Sequence, residues 1–239
     1  MSYTDPSANK PSVILLHGAI GAADQLQPLA NELSILNYNV FTFSFSGHGK
    51  MPFEKEMSIP KFANELKAFI HSNNIHQPHI FGYSMGGYVA LYLASIDHNL
   101  LGHIITLGTK FEWDPDIAQR EIKNLDPETI QLKVPKFAEA LQNRHGESWK
   151  QLLEETAQMM IALGDQNSLT PERFSKIENK VLIGLADKDA MVSLQETTTV
   201  YKQLKNGSMY MLPQTKHPIE SVNIQLLSTI IHQFLNGSL

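Results

Sequence analysis

The stretch that decides the fold reads His79-Ile80-Phe81-Gly82-Tyr83-Ser84-Met85-Gly86-Gly87-Tyr88-Val89-Ala90-Leu91. It opens as a short apolar strand pattern over 79–81. It closes as a helix over 85–96, with Val89, Ala90, Leu93, Ala94 and Ile96 at helical spacing. Between them Gly82-Tyr83-Ser84-Met85-Gly86 fits G-x-S-x-G. A sharp strand-to-helix turn forces its serine into a strained backbone conformation, and small residues on either side let the flanking backbones approach closely. The hydroxyl then stands exposed at the end of a sheet, and the helix N-terminus behind it favours developing negative charge. The bland alternative is a glycine-rich helix start with an incidental serine; strand, turn and helix in this order argue against it.

The same rhythm extends outward. Short apolar runs over 13–16, 40–45, 79–81, 104–107, 181–183 and 209–212 each end in turn residues, which suits strands buried on both faces of a parallel sheet. Helical patterns lie between them: Leu26, Leu29, Ala30, Leu33 and Leu36; Phe62, Leu66, Phe69 and Ile70; and finally Val222, Leu226, Leu227, Ile230, Ile231 and Phe234. Alternating strands and helices predict an α/β fold with a mostly parallel sheet of about six strands and right-handed crossovers. From 110 to 177 no strand pattern is convincing. Trp149, Leu152, Leu153, Thr156, Met159, Met160 and Leu163 share one helical face, and Pro115, Pro127, Pro135 and Pro171 punctuate the segment. It reads as a helical insertion between two core strands, dividing the chain into a core over 1–109 and 178–239 and an insertion over 110–177.

The composition narrows the chemistry. The chain has 239 residues, 42% hydrophobic, enough for a sizeable core. With 19 basic and 24 acidic residues the net charge is −5, and no basic stripe points to nucleic acid. Cysteine is absent, which excludes disulfides, thiolate metal sites and a thiol nucleophile. No H-E-x-x-H or P-loop pattern occurs, and Pro78 within His76-Gln77-Pro78-His79 rules out a helical metal pair, so neither metal nor cofactor is expected. Residues 1–10 lack a signal-peptide pattern, and no apolar run approaches the ~18 residues of a membrane span, so a cytoplasmic location is expected.

A serine hydroxyl needs a base, and the base an orienting acid. On a fold with this elbow the chain order is serine, acid, histidine. His217, in the loop after the last strand, reaches the same sheet edge as Ser84 and stands above the other nine histidines. The acid belongs after the preceding strand, in Gly184-Leu185-Ala186-Asp187-Lys188-Asp189-Ala190-Met191-Val192, where Asp187 and Asp189 compete. Asp189 is favoured by the Asp-x-x-Val alignment; Asp187 is the alternative acid, or else a turn-capping residue. An oxyanion hole requires backbone N–H groups, here expected from Met85 and from Ala19 in His17-Gly18-Ala19-Ile20-Gly21, with the His17 side chain ordering that loop.

With His17-Gly18, Ser46-Gly47-His48-Gly49, Gly82-Tyr83-Ser84-Met85-Gly86-Gly87, Asp189 and His217 in hand, the chain resembles the α/β-hydrolases over nearly its whole length, about 12–235. The resemblance implies a three-layer fold with a helical lid inserted after the strand that follows the elbow helix, where 110–177 falls. Two positions depart from the family pattern. Ser44 stands where many members carry an aspartate, so that polar anchor is lost or replaced. Ala186 replaces a common glycine, which leaves both aspartates in contention.

Serine at position 84 makes the aspartate-nucleophile branches, epoxide hydrolases and haloalkane dehalogenases, a poor match. The expected activity is a serine hydrolase cleaving an ester or thioester of a small to medium acyl group, its partner a small acyl substrate. Carbon–carbon bond hydrolysis, acyl transfer, perhydrolysis and non-catalytic binding of a small molecule stay open on the same residues. Phe111, Trp113, Trp149, Met159 and Met160 are expected to pack the lid and are candidates for the pocket wall, where methionine would let an apolar pocket adapt its shape.

Overall fold

The computed structural model describes residues 10–54 and 56–239. The N-terminal stretch read for a signal therefore lies, apart from Lys10, outside the described residues. In chain order the elements are β1 (Ser12–Leu16), α1 (Gln27–Ile35), β2 (Asn39–Thr42), α2 (Ile59–Ser72), β3 (His79–Tyr83), α3 (Met85–Ile96) and β4 (Ile104–Leu107). There follow α4 (Pro115–Ile122), α5 (Pro127–Lys133), α6 (Pro135–His145), α7 (Trp149–Asp165), α8 (Pro171–Phe174), β5 (Val181–Ala186), α9 (Leu194–Gln203), β6 (Gly207–Leu212) and α10 (Ile224–Leu235).

All six strands pair in parallel, in the order β2-β1-β3-β4-β5-β6. Strand alternation sorts the apolar residues onto two faces. Ile14, Leu16, Ile80, Ile104, Val181 and Ile183 face a core with Phe62 and Leu66 of α2 and with Val89, Ala90 and Leu93 of α3. Val13, Leu15, Phe81, Ile105, Leu107 and Leu182 face the other, with Leu29 and Leu33 of α1 and Leu227 and Ile231 of α10. The result is a three-layer α/β fold. Among the described residues no helix is long and apolar enough to cross a membrane.

The second strand is shorter than its apolar run. Pairing ends at Thr42, while Phe43 and Phe45 continue as aperiodic chain. The cause lies next door: β1 ends at Leu16, and the Phe45 N–H is taken by the ring Nε2 of His17 at 3.1 Å rather than by a strand carbonyl. The missing aspartate anchor is replaced by two contacts. Ser44 Oγ accepts from Ala23 N, and Glu65 of α2 accepts from both the N–H and the hydroxyl of Ser46.

Between β4 and β5 the described residues form only helices and connecting turns. α7 joins two apolar clusters. Its Leu152, Met159 and Leu163 belong to the main core, whereas Trp149 and Leu153 pack with Leu125, Ile130 and Leu141 in a separate cluster. Asp114 and Asp126 cap α4 and α5, each with proline in the first turn, as the sequence punctuation predicts.

Candidate active site

Because every strand runs the same way, the loops after β1, β3, β4, β5 and β6 all emerge at one sheet edge, where open α/β sheets bind ligands. Ser84 follows β3 directly. Its backbone sits at φ 50° and ψ −117°, a region side-chain-bearing residues avoid and that costs about 1–3 kcal/mol. The surroundings enforce it: Ser84 N donates to Leu107 O at 2.9 Å, and Ser84 O accepts from Gly87 N and from Thr109 Oγ1, both at 3.0 Å. A Cβ on Gly82 would strike the backbone of Gly86 and Gly87, and one on Gly86 would strike Leu16 O, so the crossing of β3 with α3 is closed to larger residues.

His217 lies past β6 with its Nδ1 2.7 Å from Asp189 Oδ2. The other Asp189 oxygen accepts from Met191 N and Val192 N at 2.8 and 2.9 Å. Burial pushes the Asp189 carboxyl up, but the hydrogen bond and charge of His217 and the two amides outweigh it and hold it below the usual carboxylate range. Asp187 is turned elsewhere and accepts from Thr215 N at 2.9 Å, bracing the loop that carries His217. Tyr83 OH donates to His217 O at 3.0 Å, tying the histidine backbone to the residue before Ser84. Ser84 and His217 line the same pocket; among the described residues no hydrogen bond joins them, a contact that commonly tightens only with substrate in place.

Met85 is the first residue of α3, so its N–H stands outside the helical ladder. Gly18 O accepts from His17 Nδ1 at 2.8 Å and from Gly21 N at 3.1 Å. A trans peptide is planar, so anchoring that carbonyl aims the Ala19 N–H in the opposite direction. The Ala19 amide has no hydrogen-bond partner among the described residues, and both Ala19 and Met85 line the pocket. His17 orders this loop as the sequence reading expected. Its Nε2 accepts from Phe45, so the ring proton sits on Nδ1, and burial lowers its pKa to about 4.

A model of the α/β-hydrolase fold family matches residues 11–182, well over half of the chain. The chain belongs to this family. Esterase YbfF of Escherichia coli K12 is 25% identical to this hydrolase-family chain over 99 residues, 41% of the chain and 39% of the esterase. The match thus spans well under half the length of that relative. The solved enol-lactonase of Burkholderia xenovorans LB400 superposes with a TM-score of 0.80 at 13% identity, covering 97% of this chain and 94% of its own. The 2-hydroxy-6-oxo-6-phenylhexa-2,4-dienoate hydrolase of Rhodococcus sp. strain RHA1 superposes at 0.79 with 18% identity, covering 97% and 92%. At these identities the likeness to both structures concerns the fold.

The pocket of this α/β-hydrolase is narrow, ≈ 50 Å³, and mostly apolar. Of the five wall candidates, Trp113, Met159 and Met160 line it. Phe111 does not; it is buried edge-on against Phe174. Trp149 does not either; it fills a separate cluster at the start of α7, nearly three turns from Met159. The sequence reading missed Lys110 and Glu121, the charged residues of the wall, whose side chains pair at 3.5 Å. It also missed Glu196, whose carboxylate takes the N–H groups of Phe111, Glu112 and Ser193. The capping box Ser193-x-x-Glu196 was the available signal. Gly108 at the end of β4 is the third omission. At φ +61° it runs past Asp189 and the His217 ring, where a Cβ would stand 3.3–3.4 Å from both.

Proposed function

We propose that this protein is a serine hydrolase that cleaves a carboxylic ester or thioester of a small to medium acyl group. Ser84 Oγ attacks the carbonyl carbon while His217 takes its proton. The tetrahedral oxyanion is held by the N–H groups of Ala19 and Met85. His217 returns the proton to the leaving alcohol or thiol, and water, deprotonated by His217, then releases the acid and regenerates Ser84. Asp189 holds the histidine tautomer and offsets the charge of the imidazolium. No step calls for a metal or an organic cofactor.

The observation that carries this reading is that His217, held by Asp189 at 2.7 Å, lines one narrow pocket with the strained Ser84. The segment 110–177 acts in this reading as the lid of a core formed by 1–109 and 178–239. Its Trp113, Met159, Met160 and Leu163 furnish much of the apolar wall, which supports an acyl group of limited length. The test is turnover of short chromogenic acyl esters and thioesters, with an active-site phosphonate label located by peptide mapping. Ser84→Ala is expected to abolish both turnover and label. Turnover that survives the substitution, or a label on another residue, would overturn the reading.

A further inference from the structure

One residue of the helical insertion reaches across to the loop after β1 and holds it. His145, the last residue of α6, is buried. Its Nδ1 accepts from Gly49 N at 2.9 Å, which leaves the ring proton on Nε2, and Nε2 donates to Ile20 O at 2.9 Å. The ring therefore bridges the Ser46–Gly49 turn and the loop that carries Ala19.

Ile20 is an unusual residue for its conformation. Its φ is 52°, the left-handed region in which a β-branched side chain is an outlier, held only where the surroundings over-determine it. Beside its packing on the main core, the insertion supplies surroundings at both ends of the residue. The Ile20 side chain packs against the cluster of Leu125, Ile130, Leu141, Trp149 and Leu153, and its carbonyl is held by His145. Ile20 is the residue after Ala19, so its backbone angles help fix where the Ala19 N–H sits.

We infer that His145 is a positioning residue for the oxyanion hole: the insertion sets the Ala19 donor by holding the Ile20 carbonyl. This inference rests on the proposed serine-hydrolase reading. It predicts an effect on the transition state more than on ground-state binding, because the Ala19 amide acts on charge that develops only during reaction.

The two ring nitrogens can be tested separately. Glutamine places its amide nitrogen near the position of Nε2 and can keep the bond to Ile20 O. Asparagine places its oxygen near Nδ1 and can keep only the bond from Gly49 N. For His145→Gln, His145→Asn and His145→Ala, kcat and KM are read on the same chromogenic ester. The inhibition constant of a trifluoromethyl ketone, whose hydrate-like adduct carries an oxyanion, is read alongside. Rates are expressed per Ser84 titrated with phosphonate, so partly unfolded preparations still report.

His145→Asn and His145→Ala are expected to lose about 10- to 100-fold in kcat, against the 10²–10³-fold typical of removing an oxyanion donor outright. KM should stay within about twofold, and ketone affinity should fall in step with kcat. His145→Gln should stay within about threefold of the parent. Equal kcat for the Gln and Asn variants, or losses that follow the melting temperature instead of the retained bond, would overturn the inference. Ser84→Ala separates the two claims. If it stays active, the serine-hydrolase reading fails; if it is dead while His145→Asn keeps full kcat, only the role of His145 fails.

Discussion

Asp189 and His217 meet at 2.7 Å although they stand on different loops, one past β5 and the other past β6, and Gly108 at the end of β4 passes both. Adjacent parallel strands make this possible, because their C-terminal ends lie side by side. The competing Asp187 points to Thr215 instead. Its position next to the end of β5 makes it a brace for the histidine loop, whereas two further residues bring Asp189 round to the ring.

The two aspartates should therefore separate in kinetics. Asp189→Asn leaves the imidazole without its partner and is expected to lower kcat by about 10³–10⁴-fold, the scale seen when a triad acid is neutralised. Asp187→Asn should cost about tenfold or less, through a loosened Thr215 loop. Steady-state kcat of both variants decides, and a larger loss at Asp187 than at Asp189 would reverse the assignment.

The strain at Ser84 should be recoverable as stability. Glycine occupies positive φ freely, so Ser84→Gly is expected to stabilise the fold by about 1 kcal/mol while removing turnover. For a chain of this size that corresponds to a rise of roughly 2–4 °C in Tm. Ser84→Ala keeps a Cβ and should gain less. Thermal melts of the two variants side by side test this, and an alanine variant as stable as the glycine one would count against backbone strain.

Much of this architecture was legible in the residues. The six apolar runs, the Gly82–Gly87 elbow and the histidine after the last strand carry their meaning locally, because periodicity and turn chemistry act over a few residues. The end of β2 was not legible: Phe43 and Phe45 continue the apolar run, and only the His17 ring, 28 residues distant, takes the amide that would extend the strand. The choice between Asp187 and Asp189 depended on how a turn closes against a different loop. The pocket wall was half legible, since the face of α7 could be read but not which of its turns meets Ser84. Lys110 and Glu121 escaped because a paired lysine and glutamate look like solvated surface in sequence and are buried only through contact between distant segments.

That distinction along α7 gives a direct test of the wall. Met159 lines the pocket beside Ser84, and shortening it opens apolar space there. Met159→Ala is expected to shift preference toward longer acyl chains, by about tenfold in the ratio of kcat/KM for an eight-carbon over a four-carbon ester, the scale of a few methylenes of apolar contact. Trp149→Ala should leave that ratio unchanged and instead destabilise the fold by about 3–5 kcal/mol, because it empties the cluster around Leu125, Ile130, Leu141 and Leu153. The acyl-chain profile and a urea melt of each variant check both halves. A changed profile with Trp149→Ala, or an unchanged one with Met159→Ala, would show that the wall is drawn wrongly.

Acid should weaken the fold before the carboxylates titrate. His17 and His48 are both buried and neutral, and burial is the main cause of their lowered pKa values, His17 to about 4 from 6.5. In the unfolded chain these rings protonate near pH 6.5; in the folded chain they do not. Between about pH 6.5 and 4 the unfolded state therefore holds more protons, and stability must fall as pH falls. The His17 ring contributes about 1.4 kcal/mol per pH unit across the window, about 3 kcal/mol by pH 4, and His48 acts in the same direction. Below the folded-state pKa the slope from that ring vanishes, because both states are then protonated. Urea midpoints measured at pH 7, 6, 5 and 4.5 should decline steadily. A midpoint that stays level from pH 6.5 to 4.5 would mean that the rings bridging β1 to the Phe45 and Ser46 turn are not buried in neutral form, and the anchoring of Gly18 O by His17 would have to be redrawn with them.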